Sequence, residues 1–511
     1  MEKKKTNELD KDLKLIAKSS IIVFAGLFLS KLFFYIYRLI VARFFGPEIY
    51  GLFSLALIIL LWFVAFFSFG FDQGLLRFIS YYRGKNQSDK IRYLISFSRS
   101  FLLFSSVLAG AILYFSSNLI AINIFHNEGL SIFLKTFSFL IPFYIFSSVF
   151  LSILRAHENI LFYSVISNIV PNLLKVLTLV FLLIIGFKTN AVALSYFTGI
   201  FVMFLLSYFA VRKSISYIFN KSSINENEGS KIRKEFFIYS WPIMFFGIAN
   251  MIFYWIDSFT IGVFLGATDV GLYNAVVPIA ALLGFVPELF MQLFFPMITK
   301  KISKKDFAVV KELSQQIGKW IFILNIPLFF IMFLFPGEVI GILFGKEYVI
   351  AKNALVILSF GSFIATLSVS IPQNLLLSIG KSKLMLFNLL FLSLFNLILS
   401  IILIPKFGIN GAAISTTLVN VLFGGVLLFQ IYFYKSIIPI RRKVLKILII
   451  SLLPFLVVFK IKEFIIINYL STVFLASFFV LFYFLLIFIT GCLDKNDFMI
   501  INSIRKKYLK R

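Results

Sequence analysis

Cysteine occurs once, at Cys492, and histidine twice, at His126 and His157, which excludes an intrachain disulfide and any metal cluster built from thiolates or several imidazoles. Acidic residues are scarce as well. Asp and Glu number 22 against 49 Lys and Arg, and charged residues make up 14% of the 511 positions, too little to wet the surfaces of soluble domains. No polar segment is long enough to fold as a separate catalytic domain, and no pair of carboxylates in a sizeable loop suggests a glycosyltransferase or hydrolase. Gly380-Lys381-Ser382 ends like a phosphate loop, but Leu375 stands where the required glycine would be and no strand precedes it. The apolar runs lack the polar/apolar alternation of an outer-membrane barrel. The expectation is a chain that is no enzyme and binds neither cofactor nor metal.

What is present is apolar. Hydrophobic residues make up 60% of the chain and the mean hydropathy is +0.99. Apolar runs of about 20 residues, each enough to cross a bilayer as a helix, imply an all-α polytopic membrane protein with about 14 transmembrane helices. The net charge of +27 is placed unevenly, with most Lys and Arg in the loops that share a side with both termini. Clusters such as Arg83/Lys85/Lys90/Arg92, Lys231/Arg233/Lys234, Lys300/Lys301/Lys304/Lys305, Arg441/Arg442/Lys443 and Arg505/Lys506/Lys507 therefore predict cytoplasmic termini and contacts with anionic lipid headgroups, not nucleic acid. The first apolar run begins at Ser19 without a small-residue cleavage site after it, so it reads as a retained helix. The sequons at Asn86 and Asn220 fall in loops expected to be cytoplasmic, where they would not be glycosylated. Richness in Lys, Ile, Phe and Asn hints at a low-GC prokaryotic genome.

The organising stretch is Ser30 to Gly51, SKLFFYIYRLIVARFFGPEIYG, an apolar helix that carries Lys31 and Arg38 and ends in a Gly-Pro turn. It is echoed later. Phe44-Phe45-Gly46 through Gly51-Leu52-Phe53 returns as Phe264-Leu265-Gly266 through Gly271-Leu272-Tyr273, a shift of 220 residues. Asn190-Ala191-Val192-Ala193-Leu194-Ser195 returns in the same register as Asn410-Gly411-Ala412-Ala413-Ile414-Ser415. Two matches in one register point to a duplicated half. The expected domains are a six-helix lobe over 1–211, a polar cytoplasmic linker over 212–235, a second six-helix lobe over 236–435, and an extra helix pair with a basic cytoplasmic tail over 436–511. An even number of helices per half makes the repeat parallel, with any substrate path expected between the halves.

Polar residues recur on helix faces. Lys31, Tyr35 and Arg38 at i, i+4 and i+7 share one face, as do Asn250, Tyr254 and Asp257 in the second half. Ser164, Asn168, Asn172 and Lys175 form a third stripe, and Ser362, Thr366, Ser370 and Gln373 a fourth. The bland reading of Ser, Thr and Asn here is interhelical hydrogen bonding. A Lys, Arg or Asp within a span costs roughly 2.5–3.5 kcal/mol even on insertion scales, so Lys31, Arg38, Lys175 and Asp257 carry more weight. Snorkelling of Lys31 and Arg38 towards an interface is the competing account. Arg77, Arg99 and Glu288 stand nearer helix ends and read as interfacial anchors. Lys31, Arg38 and Lys175 would make a cationic cavity suited to a diphosphate, with Tyr35, Asn168, Asn172, Asn250, Tyr254 and Gln373 as its polar lining. Asp257 has two open roles, a salt bridge to Arg38 or titration in ion coupling.

The segments Ala42-Arg43-Phe44-Phe45-Gly46-Pro47-Glu48-Ile49-Tyr50-Gly51, Asp72-Gln73-Gly74 with Arg77, IDSFTIGVFLGATDVGLYN from Ile256 to Asn274, and IPKFGINGAAIS from Ile404 to Ser415 resemble the multidrug/oligosaccharidyl-lipid/polysaccharide flippase superfamily. They are most similar to its polysaccharide-transporter branch of O-antigen and teichoic-acid type exporters. The resemblance implies two six-helix lobes in a V-shaped transporter that alternates between inward and outward openings, usually driven by an ion gradient, here H+ or Na+. Peptidoglycan-precursor flippases of the superfamily use a Ser-Arg pair in helix 1. This chain has Ser30-Lys31 there, which keeps the charge and loses the bidentate fork. Those flippases follow with an Arg-Asp pair where this chain has Tyr37-Arg38, which favours another polyprenyl-diphosphate glycan over lipid II. The expected function is export of a lipid-linked oligosaccharide across the cytoplasmic membrane for polysaccharide biosynthesis, in contact with the lipid bilayer and other glycan-assembly membrane proteins. The alternatives are a cation-coupled multidrug exporter on the same fold and a lipid II flippase.

Overall fold

A computed structural model describes residues 2–439, 441–465 and 468–493. The basic tail expected from Asp494, with Arg505/Lys506/Lys507, lies outside the described residues. All regular structure among the described residues is helical, as lipid demands: apolar segments must close their backbone hydrogen bonds internally.

The chain forms two compact units, Met1–Asn274 and Ala275–Arg511. The first holds α1 (Glu2–Phe67), α2 (Phe71–Gly84), α3 (Ser88–Leu119), α4 (Gly129–Ser138), α5 (Leu140–Ala156), α6 (Ile160–Ser164), α7 (Val170–Ile184), α8 (Asn190–Ser214), α9 (Glu226–Phe264) and the start of α10 (Ala267–Ser303). The second holds the rest of α10, then α11 (Phe307–Leu334), α12 (Pro336–Leu343), α13 (Lys352–Ser368), α14 (Ser370–Ser378), α15 (Ser382–Phe407), α16 (Ile409–Lys435), α17 (Arg442–Phe464) and α18 (Tyr469–Ile489). The polar stretch 212–235 is shorter as a loop than its composition suggests, because α9 already begins at Glu226. Glu226 and Glu228 in its first turn favour the positive end of the helix dipole. α9 packs on the first unit through aromatic edges, with Phe236 4.7 Å from Phe71 and Phe259 4.9 Å from Trp62, centroid to centroid. The compact boundary after Asn274 thus lies beyond the stretch 212–235 that the sequence expects to join two halves.

Twelve helices among the described residues are long and apolar enough to cross a membrane. The number is 13 if α4 and α5, bent by 44° at their junction, count as one span. The chain is a multi-pass membrane protein. The difference from about 14 has a visible origin in α1, whose apolar part Phe28–Phe67 runs for 40 residues, about twice what a bilayer needs. Gly46 breaks it at φ 76°, ψ 179°, and Pro47 starts the second limb at a position where its missing N–H is harmless. Gly266, the equivalent of Gly46 under the 220-residue shift, has φ 96° and precedes α10 in the same way.

The two repeated motifs touch one another within the first unit. A β-carbon on Gly51 would overlap the carbonyl oxygen of Ala267, and one on Gly271 would overlap the carbonyl oxygen of Pro47. Gly51 and Gly271, like Pro47 and Ala267, are 220 residues apart. The crossing is therefore reciprocal, each repeat presenting to the other what it receives. The second pair of echoes keeps its local bonding too: Ser195 Oγ donates to the Val192 carbonyl at 3.0 Å and Ser415 Oγ to that of Ala412 at 2.9 Å.

Backbone contact this close leaves no room for a methyl group. Gly51→Ala and Gly271→Ala are each expected to destabilise the chain by about 1–3 kcal/mol or more. Gly247→Ala, where a β-carbon meets nothing within 4 Å, should be neutral or stabilising. Thermal unfolding of the three purified variants checks this; equal midpoints would show that the crossing does not constrain the fold.

Candidate functional site

α1 brings Arg38 to a position where only 3% of it is exposed. Its guanidinium carbon lies 4.9 Å from the Phe34 ring centroid and 5.7 Å from that of Tyr50. Its Nε and Nη2 donate to no acceptor, and it forms no ion pair among the described residues. Aromatic faces return about 0.5–2 kcal/mol to a buried cation, whereas desolvating it costs several. The site is therefore electrostatically incomplete in a direction that only an anion or strong acceptors satisfy.

Lys175 is the second buried cation, 7% exposed, with its Nζ 3.9 Å from the Tyr196 ring centroid. Gly199 on α8 makes room for it: a β-carbon there would come within 2.5 Å of Lys175 Cγ. Tyr196 belongs to an aromatic cluster that includes Phe137 at 5.3 Å, Phe53 at 5.7 Å and Tyr37 at 6.5 Å. Tyr37, beside Arg38, fixes α1 to the α8 echo segment by donating to the Val192 carbonyl at 3.0 Å.

Between α6 and α7 the helix widens into one π turn, Val165–Ile169. Pro171 accounts for it, since its ring would clash with the carbonyl four residues back in a regular helix. The π turn rotates the polar stripe relative to an ideal helix. Ser164 and Ser167 keep buried hydroxyls without a hydrogen-bond partner, while the half-buried Asn168 lies in the turn itself. Asn172 donates to Ser30 Oγ at 2.9 Å and to the Asn168 carbonyl at 3.1 Å, which locks α7 against α1 one residue from Lys31. Lys31 and Tyr35 are half-buried. The first unit thus gathers Ser30, Arg38, Ser164, Ser167, Asn168, Asn172 and Lys175 from α1 and the α6–α7 run that packs on it.

The α9 stripe is arranged differently. Asp257 is 5% exposed and accepts from Tyr273 at 3.4 Å; no ion pair joins it to Arg38. The next residue, Ser258, accepts from Asn274 Nδ2 at 3.0 Å, and the Asn274 carbonyl accepts from Tyr50 at 3.0 Å. Tyr50, an aromatic face for Arg38, is thereby tethered to α10 beside the residue that holds Asp257. Asn250 is half-buried and donates to the Phe246 carbonyl at 3.0 Å, while Tyr254 is 72% exposed. Gln373 is half-buried in α14 of the second unit.

Several buried polar residues of the second unit escaped the sequence reading, Lys319 and Asn325 among them. Lys319 on α11 is fully buried, and Asn325, six residues on, has an amide with neither its oxygen nor its nitrogen hydrogen-bonded. A signal was there, since Lys319 sits inside an apolar span as plainly as Lys175 does.

Residues 16–302 match the model of the family described as polysaccharide biosynthesis protein. The chain belongs to this family. It falls in the polysaccharide-transporter branch of the multidrug/oligosaccharidyl-lipid/polysaccharide flippase superfamily. It is 27% identical over 399 residues to a Shigella flexneri protein named "Putative O-antigen transporter", covering 76% of this chain and 91% of that one. It is 29% identical over 188 residues to a Haloferax volcanii protein named "Probable low-salt glycan biosynthesis flippase", covering 37% of this chain and 40% of that one. Its fold is similar to a solved structure of the lipid II flippase MurJ in an inward closed conformation, with a TM-score of 0.71, 19% identity and coverage of 96% of this chain and 100% of that one.

A buried cation without a counter-charge does not serve stability. Arg38→Met is expected to leave thermal stability within about 0.5 kcal/mol of wild type or to raise it, because the unbranched apolar chain removes a desolvation cost. A clearly lowered unfolding midpoint for this variant would show that Arg38 is a packing element.

Proposed function

We propose that this family member is a flippase that moves a polyprenyl-diphosphate-linked oligosaccharide across the cytoplasmic membrane by alternating access. The observation that carries this reading is the pair of buried cations, Arg38 and Lys175, neither of which has a carboxylate partner among the described residues. A diphosphate supplies what that pair needs, with multiple acceptor oxygens and charge of the opposite sign, and charge-assisted hydrogen bonds to it are roughly twice as strong as neutral ones. Lys31, nearer the end of the same face, would receive the headgroup first. Ser164, Ser167, Asn168 and Asn172 offer hydroxyls and amides to sugars, while the isoprenoid chain stays in lipid. Tyr35, Asn250, Tyr254 and Gln373 extend the polar lining on this reading.

The duplicated halves, 1–211 and 236–435 joined by 212–235, would rock about the site, with the pair over 436–511 as an addition. Both termini and the basic clusters would face the cytoplasm. The names of the relatives, an O-antigen transporter and a glycan biosynthesis flippase, agree with this cargo class. Asp257, buried beside Tyr273, is the group to couple the cycle to H+ or Na+.

The test uses a strain whose own lipid-linked oligosaccharide flippase is deleted and restored by this chain, with surface glycan as readout. Arg38→Gln and Lys175→Gln should each lower export at least about tenfold, since each charged hydrogen bond contributes roughly 1.5–3 kcal/mol. Full export by the double variant would contradict the proposal. Unchanged export with lost resistance to cationic drugs would instead favour the multidrug exporter on this fold.

A further inference from the structure

A cavity of about 500 Å³ lies on the flank of the first unit, between α3, α5 and the segment that leads into α9. Three cations line it, Arg99 from α3, Lys221 from the connecting segment and Arg233 from α9. The single carboxylate among the lining residues, Glu226, is already taken by Arg233. Arg99 makes no hydrogen bond or ion pair among the described residues; it stands eleven residues into α3, about 16 Å along the helix axis, where the charged first turns give way to the apolar part of the helix. Arg99 and Lys221 line the same cavity.

Beyond Arg99 the same exposed face of α3 continues as Leu103, Phe104 and Val107, exposed by 54%, 71% and 54%. A polar, positively charged pocket therefore opens at the head of an apolar track, on one helix and within one leaflet's depth. The connecting segment roofs it and is pinned in place. Ser222 Oγ donates to the Asp89 carbonyl at 3.0 Å, Arg92 Nη1 to the Lys221 carbonyl at 3.3 Å, and the Tyr217 hydroxyl lies 2.9 Å from His157 Nε2.

We infer that this cavity binds the phosphate of an anionic glycerophospholipid from the surrounding leaflet, held by Arg99 and Lys221 with the acyl chains along Leu103, Phe104 and Val107. Charge decides the class of ligand, because a zwitterionic headgroup would bring a second cation to a pocket whose only acid is occupied. Position decides the source: Arg99 stands at the head of the apolar track of α3, where a phosphate held by it and by Lys221 leaves the acyl chains against Leu103, Phe104 and Val107. The site is separate from Arg38 and Lys175, and occupancy here would stiffen the segment that joins α8 to α9.

The full-length protein, purified in detergent and titrated with phosphatidylglycerol or phosphatidylcholine, tests this by native mass spectrometry, a readout independent of transport. Wild type should retain phosphatidylglycerol in preference to phosphatidylcholine. Arg99→Gln with Lys221→Gln should bind it at least about tenfold more weakly, Arg99→Lys should restore part of the loss, and Lys300→Gln with Lys301→Gln should change nothing. Equal loss in both double variants, or no preference in wild type, would overturn the assignment. Displacement of the lipid by an equal concentration of inorganic phosphate would overturn it too, by showing a site for phosphate alone.

Discussion

A guanidinium buried without a carboxylate is the constraint around which the first unit is built. Arg38 lies against Phe34, one turn back on the same limb of α1, and against Tyr50, which the break at Gly46 brings back towards it. Tyr50 in turn is held by Asn274, and Tyr37 is held by the α8 echo segment. The fold fixes by buried hydrogen bonds the neighbours of a cation whose own Nε and Nη2 it leaves without an acceptor. A merely structural arginine would be surrounded in the opposite way, with its own donors satisfied and its neighbours free.

The reciprocal crossing of Gly51 and Gly271 connects this site to the duplication. The two repeated motifs meet through the backbone itself, at the repeated glycines, so Tyr50 on one motif and Tyr273 with Asn274 on the other lie beside the same contact. Under the 220-residue shift Arg38 corresponds to Ser258, the neighbour of Asp257; Arg38 faces aromatic rings and Asp257 a tyrosine hydroxyl. Any movement between these segments must alter the surroundings of both charged groups together. On the proposed function, that is how a rearrangement of helices would change the affinity for an anion.

Much of this was legible in the sequence for reasons that are local. Apolar run length and the absence of alternation dictate helices that span a membrane, and Gly-Pro at 46–47 marks a break whichever partner it meets. Lys175 and Arg38 are visible as charges that an apolar span would not carry without cause. Other features depend on tertiary context. Nothing in the letters distinguishes Asn172, tied to Ser30, from Tyr254, which lies exposed on its helix, because both fit a helical stripe equally well. The π turn before Pro171 shifts the register of the third stripe in a way that an ideal 100° rotation does not anticipate. Lys319 was within reach of the same rule that found Lys175, whereas the compact boundary at Asn274 was not, since it arises from aromatic packing of α9 that leaves no trace in polarity.

The sign of the potential at the π turn tests the account most directly. With buried Cys492 replaced by serine, Asn168→Cys supplies one reporter thiol in the π turn that leads into the helix of Lys175. Its rates with the anionic sulfonatoethyl and the cationic trimethylammonioethyl methanethiosulfonates then report local charge. The account predicts that the anionic reagent reacts faster, relative to a free thiol in solution, and that the preference disappears when Arg38 and Lys175 are both changed to glutamine. Equal rates, no reaction with either reagent, or a preference for the cationic one would contradict a wet, positively charged chamber at this place.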